Sequence, residues 1–376
     1  MSPPRYSPDH FPPVSFDWKG LLPRIVRAHR ALAGYEGVLA GVPNPDLLLA
    51  PLAGQEAVLS SRIEGTRSSL GDILTLEANE GRGNEADPSL ADAREVLNCQ
   101  IALAEAVALL EELPLSQRLL RQVHGTLMRG VRGGAAGPGE YRRIQNWIGS
   151  PGSTAETATF LPCPAPDIPT AMSGWERYLH SKAPDPPVQL AVLHVWFEAI
   201  HPFLDGNGRL GRLMFPLFLV SRGLLRRPNF YLSEYVERHR DAYYDGLLGV
   251  SRDQDWESWV RFFLGAVEKQ AAANIVRIEA IMALYETRKK WIVRATRSPY
   301  AVPALDALFQ RPVFRSSAFL GDQGVSRPAA LRLLRVMRKA GVIEELRTGN
   351  GRRSPVFSFP ELMKIVERPS DFGDGA

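Results

Sequence analysis

Two cysteines, Cys99 and Cys163, are all that the chain contains. That is too few for a disulfide framework or a zinc cluster, and neither has a second thiol or imidazole close by in sequence. A reducing, cytoplasmic setting is expected. Long apolar runs are also lacking: a membrane-spanning helix needs about 18 to 20 consecutive apolar residues, and the apolar block after Gly211 stops at Arg222. No membrane partner is expected. Residues 1–13 are rich in proline and polar residues with no apolar stretch behind a basic start, so they read as a frayed tail, not as a secretory or transit leader. Overall charge is small, at +4, but the window 288–353 holds 15 Lys/Arg against 4 Asp/Glu, which leaves the rest of the chain at about −7. The basic excess belongs to the C-terminal region.

What is present is a globular composition, with 45% hydrophobic and 23% charged residues spread over 376 positions, enough for two or three domains. Apolar residues recur at three- and four-residue spacing over 91–113, 115–129, 168–180, 188–200, 208–222 and 255–288, so the fold should be mainly α. Strand signals are sparse. The clearest are 146–149 and 158–161, flanking a Pro-Gly-Ser turn as a β-hairpin requires. A boundary falls near Arg297-Ser298-Pro299. Beyond it, 302–309, 316–320 and 328–340 read as helices, and 342–347 and 355–359 as a hairpin around a Gly-Asn-Gly turn, a winged-helix outline. Ser326, Pro328 and Gly341 supply start and stop signals for its third helix. The domains expected are 1–89, 90–288 and 299–376.

The segment 188–200 is apolar on nearly every face, as a helix in the middle of a bundle would be. It must stop at His201-Pro202, because proline disfavours the helical conformation of the residue before it. A tight turn then leads through Asp205-Gly206-Asn207-Gly208 into a second apolar helix that closes with Arg222 and Gly223. A turn feeding a helix N-terminus offers backbone N–H groups and the positive end of the helix dipole, and glycines at 206 and 208 let an anion approach them. Arg209 and Arg212, three apart, can both reach a polyphosphate. Asp205 is a hard oxygen ligand suited to Mg²⁺ on the same phosphates. His201 is the group in the cluster whose ordinary pKa, about 6.5, lets it accept a proton at neutral pH, so a rate falling below that pH is expected. His194, earlier on the same helix, reads as a buried core histidine.

All nine fixed positions of His201-Pro-Phe-x-Asp-Gly-Asn-Gly-Arg-x-x-Arg212 agree with the signature of Fic proteins, which the chain therefore resembles. The resemblance implies a Fic helical core with a small β-hairpin flap, Mg-ATP as substrate, and transfer of AMP to a Ser, Thr or Tyr hydroxyl of a target protein. By that likeness His201 is the base and Asp205 holds the metal. Gly206, Asn207 and Gly208 cradle the phosphates, and Arg209 and Arg212 take the outer ones.

Ser60-Ser61-Arg62-Ile63-Glu64-Gly65 lies in an apolar-periodic stretch that Gly65 ends, with Ser60 and Glu64 one turn apart on a shared face. It resembles the inhibitory motif of Fic proteins, in which the glutamate pairs with the second signature arginine, here Arg212. The segment 157–164 corresponds by likeness to the flap on which a target peptide lies as an added strand, with Phe160 and Leu161 facing it. Tyr243 and Tyr244 are candidates for packing against adenine. Two alternatives stay open: removal of AMP from a modified protein by the same site, and DNA binding through Arg327, Arg332, Arg335, Arg338 and Lys339. A second copy of the chain is a further candidate partner.

Overall fold

The computed structural model describes residues 3–78, 88–131, 137–150, 152–321, 324–350 and 354–373. Its helices, in chain order, begin with α1 (Trp18–Ala40), α2 (Pro45–Leu48), α3 (Ala50–Ile63), α4 (Leu70–Ala78), α5 (Pro88–Glu112) and α6 (Gln117–Leu127). The central group is α7 (Ile168–Leu179), α8 (Pro186–Ile200), α9 (Asn207–Ser221), α10 (Ser233–Arg238), α11 (Arg240–Asp253) and α12 (Trp256–Thr296). Last come α13 (Ala301–Gln310), β1 (Val313–Arg315), α14 (Arg327–Lys339), β2 (Glu344–Arg347), β3 (Val356–Ser358) and α15 (Pro360–Glu367). Contacts divide the chain into two compact units drawn from interleaved stretches: 1–36, 59–65 and 98–272 form one, and 37–58, 66–97 and 273–376 the other.

In the first unit α8 is the axis. Asp185 caps it by accepting the Val188 N–H at 2.9 Å, and proline in the first turn suits a position whose N–H has no intrahelical partner. Every residue from Pro187 to Ile200 is buried. Helices α7, α9 and α11 pack against α8, as an apolar surface on all faces demands. The buried indoles of Trp175 and Trp259 each donate Nε1–H to an α8 carbonyl, Leu193 at 2.9 Å and Ala191 at 2.8 Å. Those polar tips are satisfied while the rings stay in the core. His194 lies in the same core, with Nε2 2.7 Å from the Tyr243 hydroxyl.

The expected hairpin shrinks to a single antiparallel bridge, Ile148 with Phe160. The chain turns at 152 and 155–157, the Trp147 indole donates to the Ser153 carbonyl at 2.9 Å, and among the described residues no ladder extends from the bridge. Pro151 of the expected turn lies outside the described residues.

The second unit contains an antiparallel sheet in the order β1-β3-β2, with Phe314 opposite Phe357 and Glu344 opposite Ser358. Helix α4 packs on β1, α2 on α13, and α13 on α14. The expected helix at 316–320 is a run of turns, and β1 just before it was not anticipated. A Val-Phe-Arg strand of three residues after a proline is too short for alternation to show. Gly351, in the expected Gly-Asn-Gly turn, lies outside the described residues.

Candidate active site

His201 closes α8 in the left-handed region (φ 49°), and its N–H still donates to the Phe197 carbonyl at 2.9 Å. The chain then turns through Gly206 (φ 77°) into α9. A Cβ on Gly206 would lie 2.8 Å from Met128 Sδ, so both conformation and space call for glycine. Asn207 locks the turn: Oδ1 accepts the Phe203 N–H and Nδ2 donates to the Phe203 carbonyl, each at 2.9 Å. Both ends of its carboxamide are thus engaged by the loop, and the groups it leaves for a phosphate are those of the α9 N-terminus.

Arg212 is buried, and its guanidinium donates to Ser60 Oγ (3.0 Å), the Ser60 carbonyl (2.8 Å) and Glu64 Oε1 (2.7 Å). Serine in the last turn of α3 and glutamate in the turn that follows it therefore hold one arginine. The Glu64 carboxylate also lies over the start of α9, where a Cβ on Gly208 would come within 2.2 Å of Oε1. It occupies an anion position beside a helix N-terminus. Burial acts to raise its pKa, but the Arg212 charge and hydrogen bond, with help from Arg209 and His201, outweigh this and hold it below its ordinary value.

Arg209 is buried, with Nη2 3.5 Å from Asp205 Oδ1. Asp205 is half exposed, and its Oδ1 accepts the Gly206 N–H at 2.5 Å. Among the described residues there is no cluster of three or more His, Cys, Asp or Glu side chains able to cage a metal. One exposed carboxylate beside a phosphate-binding turn does fit a Mg²⁺ that arrives on a nucleotide, since that ion commonly takes one or two carboxylates plus phosphate oxygens. His201, with its side chain 20% exposed, is pushed down to about 4 by burial and the Arg142 charge, against the Glu64 charge, a hydrogen bond with the Glu198 backbone and the Asp205 charge.

Three functional residues were absent from the sequence reading. His124 stacks on Phe203 (centroids 3.8 Å), accepts the Gly139 N–H at Nδ1 (2.9 Å) and meets the Asp205 carbonyl with Nε2 at 2.9 Å. Burial pushes its pKa down to about 4, so it stays neutral with Nε2–H donating to Asp205. Arg142 donates to the carbonyls of His201 (2.9 Å), Ile144 (3.0 Å), Ile200 (3.3 Å) and Cys163, tying the flap segment to the end of α8. Nothing local marks either residue, because the contacts that tie them to the site, with the His201 and Asp205 carbonyls, lie 59 and 81 positions away. Glu198 is different: it precedes His201 by three on a helix, a spacing readable from sequence.

Tyr243 is buried against His194, and Tyr244 is about one-third exposed with the Arg240 guanidinium 5.7 Å from its ring centre. Both tyrosines sit close enough to Arg212 to influence it. Phe160 is buried, so of the flap pair only Leu161 reaches the outer edge. That edge carries the chain's own N-terminal segment: the Leu161 N–H donates to the Pro4 carbonyl at 2.9 Å, and the Tyr6 N–H to the Leu161 carbonyl at 2.8 Å, a parallel bridge centred on Arg5.

Two family patterns match the sequence: "Fic/DOC family N-terminal" over residues 22–108 and "Fic/DOC family" over 114–219. A probable protein adenylyltransferase of Aquifex aeolicus is 28% identical over 204 residues, 54% of this chain and 58% of that protein. The protein adenylyltransferase Fic of Drosophila ananassae is 26% identical over 185 residues, 48% of this chain and 34% of its own length. The chain thus spans between about a third and three-fifths of the length of these curated relatives. The crystal structure of a Fic family protein from Desulfovibrio desulfuricans shares the fold, with a TM-score of 0.57 at 21% identity over 93% of this chain and 98% of that one.

Proposed function

The chain belongs to the Fic family, and from that premise we propose that it is a protein adenylyltransferase that moves AMP from ATP to a Ser, Thr or Tyr hydroxyl of a target protein and is held in check by Glu64. The observation that carries this reading is the Glu64 carboxylate seated on Arg212 over Gly208, close enough to His201 for the two charges to act on each other. Arg212, Arg209 and the α9 N-terminus form a site for a triphosphate. Asp205 would hold Mg²⁺ on those phosphates, where the ion neutralises their charge. His201 takes the proton of the target hydroxyl as its oxygen bonds to the α-phosphorus, the bond from that phosphorus to the leaving oxygen breaks, and pyrophosphate departs. Glu64 competes for the same arginine and leaves ATP badly placed. Two free, buried cysteines suit the reducing cytoplasm for this work.

Intact mass of wild type and Glu64→Gly after exposure to Mg-ATP tests the reading. A mass gain of one AMP, larger in the variant, is expected; no gain on the protein or on any offered acceptor rejects it. An AMP-modified target incubated in parallel distinguishes the reverse hydrolysis, which would release AMP without labelling from ATP.

The second unit supports a separable role. We read α13 to β3 as a winged helix, and in α14 the residues Arg327, Arg332, Arg335, Arg338 and Lys339 are all exposed, whereas Ala330, Leu333, Leu334 and Met337 are buried. At 100° per residue the five basic side chains fall within about 140° of arc, and, with Arg338 paired to Glu345 at 2.8 Å, the other four leave a basic stripe suited to a phosphate backbone. Binding of duplex DNA by the full chain, weakening steeply as salt rises, is the expected result; no retention at low salt rejects it.

A further inference from the structure

Two buried polar atoms at the centre of the site, His201 Nδ1 and Glu198 Oε1, have no hydrogen-bond partner of good geometry, although the Glu198 backbone carbonyl lies near enough to His201 to act on it. Buried polar groups are nearly always satisfied, so a pair of orphans on neighbouring residues calls for a reason. The other carboxyl oxygen of Glu198, Oε2, lies 3.9 Å from His201 Nδ1. Hydrogen bonds that serve catalysis are often long in substrate-free structures and tighten once substrate is bound.

The place of Glu198 is built into the packing. It sits in the last turn of α8, three residues before His201, with 11% of its side chain exposed. Opposite it, α9 carries Gly211, where a Cβ would lie 2.5 Å from Glu198 Oε1 and 3.2 Å from His194 Cε1. Only glycine at that point, between the two signature arginines, leaves room for the carboxyl. The charged and titratable groups around it are His194 and His201 from its own helix and its cap, Arg212 from α9, Tyr243 and Tyr244 from α11 and Glu64 from the turn that follows α3. Burial pushes its pKa up to about 8, opposed by Arg212 and aided by Glu64.

We propose that Glu198 is the positioning residue of His201: its carboxyl accepts the Nδ1–H of the imidazole and so fixes the tautomer in which Nε2 is bare and available to the target hydroxyl. The proposal rests on the reading of His201 as base. When the hydroxyl proton passes to Nε2 and the oxygen–phosphorus bond forms with loss of pyrophosphate, the imidazolium keeps its Nδ1–H on Glu198. A carboxyl behind a histidine base sets tautomer and orientation in this way without itself touching the substrate.

Glutamine at 198 keeps an acceptor of the same shape, whereas alanine removes it. The test uses ¹⁵N-histidine-labelled full chain, with His201 assigned from the His201→Gln spectrum. Wild type and Glu198→Gln should show His201 as the Nδ1–H tautomer, and Glu198→Ala should lose that preference. In a Glu64→Gly background, Glu198→Ala should lower kcat for AMP transfer about 10- to 100-fold with KM for ATP changed less than about twofold. The parent should show a rise in rate around pH 8, where the carboxyl becomes a carboxylate, and Glu198→Gln should stay within about threefold of it near pH 7 but lack that rise. An unshifted tautomer in Glu198→Ala overturns the proposal, as does parental kcat in that variant. Should alanine prevent folding, a Glu198→Gln profile that rises like its parent's overturns it instead. If the tautomer shifts as expected but neither parent nor variant transfers AMP, the positioning role stands and the transferase reading falls.

Discussion

A Cβ on Gly208 would lie 2.2 Å from Glu64 Oε1, so the carboxylate we propose as inhibitor rests against the first turn of α9. If the nucleotide phosphates use the same spot, one methyl group blocks both occupants. Glu64→Gly should therefore raise AMP transfer by about tenfold or more, the equivalent of about 1.4 kcal/mol of misplacement removed. Adding Gly208→Ala to that variant should abolish the gain. Transfer of radiolabelled AMP to an acceptor measures both, and a fully active double variant would place the phosphates elsewhere.

The pH dependence of that activity follows from burial. An isolated imidazole would lose its basic form below about pH 6.5, but His201 is pushed down to about 4 by loss of water around it. For kcat/KM the acid limb should have its midpoint well below 6.5, and lower still in Glu64→Gly, because the Glu64 carboxylate is one of the groups raising His201. A midpoint at or above 6.5 in the variant would contradict this.

Stability should follow the same groups. His124 and His201 are pushed down to about 4 and His194 to about 3, all mainly by burial, so below pH 6.5 the unfolded chain binds three protons that the folded chain refuses. Stability contributed by these groups is present above 6.5 and is lost as pH falls toward 4. Glu198, raised to about 8, acts oppositely: its contribution is full below its ordinary value near 4.5 and is lost as pH rises through 8. Three groups outweigh one on the acid side, so thermal stability should peak near pH 6.5 and fall by about 5 °C or more on going to pH 4.5. Scanning calorimetry across that range checks it; a flat Tm between pH 7 and 4.5 would show that these imidazoles are not held neutral. Glu198→Gln should remove the alkaline decline alone.

Local patterning made much of this molecule readable. The helices that carry the site start and stop within a few residues of their sequence signals, since Asp185, Pro202, Gly206 and Gly223 act on their immediate neighbours. Glu64 was recognisable because serine and glutamate one turn apart form a local motif, and its partner Arg212 belongs to another. What the sequence concealed depends on distance. His124 and Arg142 act on carbonyls contributed by remote segments, and a carbonyl carries no residue identity to search for. Phe160 shows the converse: its apolar character suits either an exposed docking edge or a core, and only packing decides that it is buried.

The pairing of Leu161 with residues 4–6 bears on how a target would reach the site. Phe160 turns its N–H and C=O toward Ile148, which leaves those of Leu161 facing the opposite side, as alternation along an extended chain requires. Both are taken by the N-terminal segment, through Pro4 and Tyr6. That segment is anchored beyond the pairing: Tyr6 stacks on Phe11 with centroids 5.6 Å apart, and its hydroxyl accepts from the Trp196 indole at 3.3 Å. A target peptide adding to the same edge must displace two backbone hydrogen bonds, each contributing about 1 kcal/mol net. Deleting residues 1–7 should raise kcat/KM for a protein target by about tenfold while leaving ATP affinity unchanged. Hydrogen exchange at the Leu161 amide should accelerate in the truncated chain whether or not a target is present. If that amide becomes accessible and target modification proceeds at the full-length rate, the edge at Leu161 is not where the target binds.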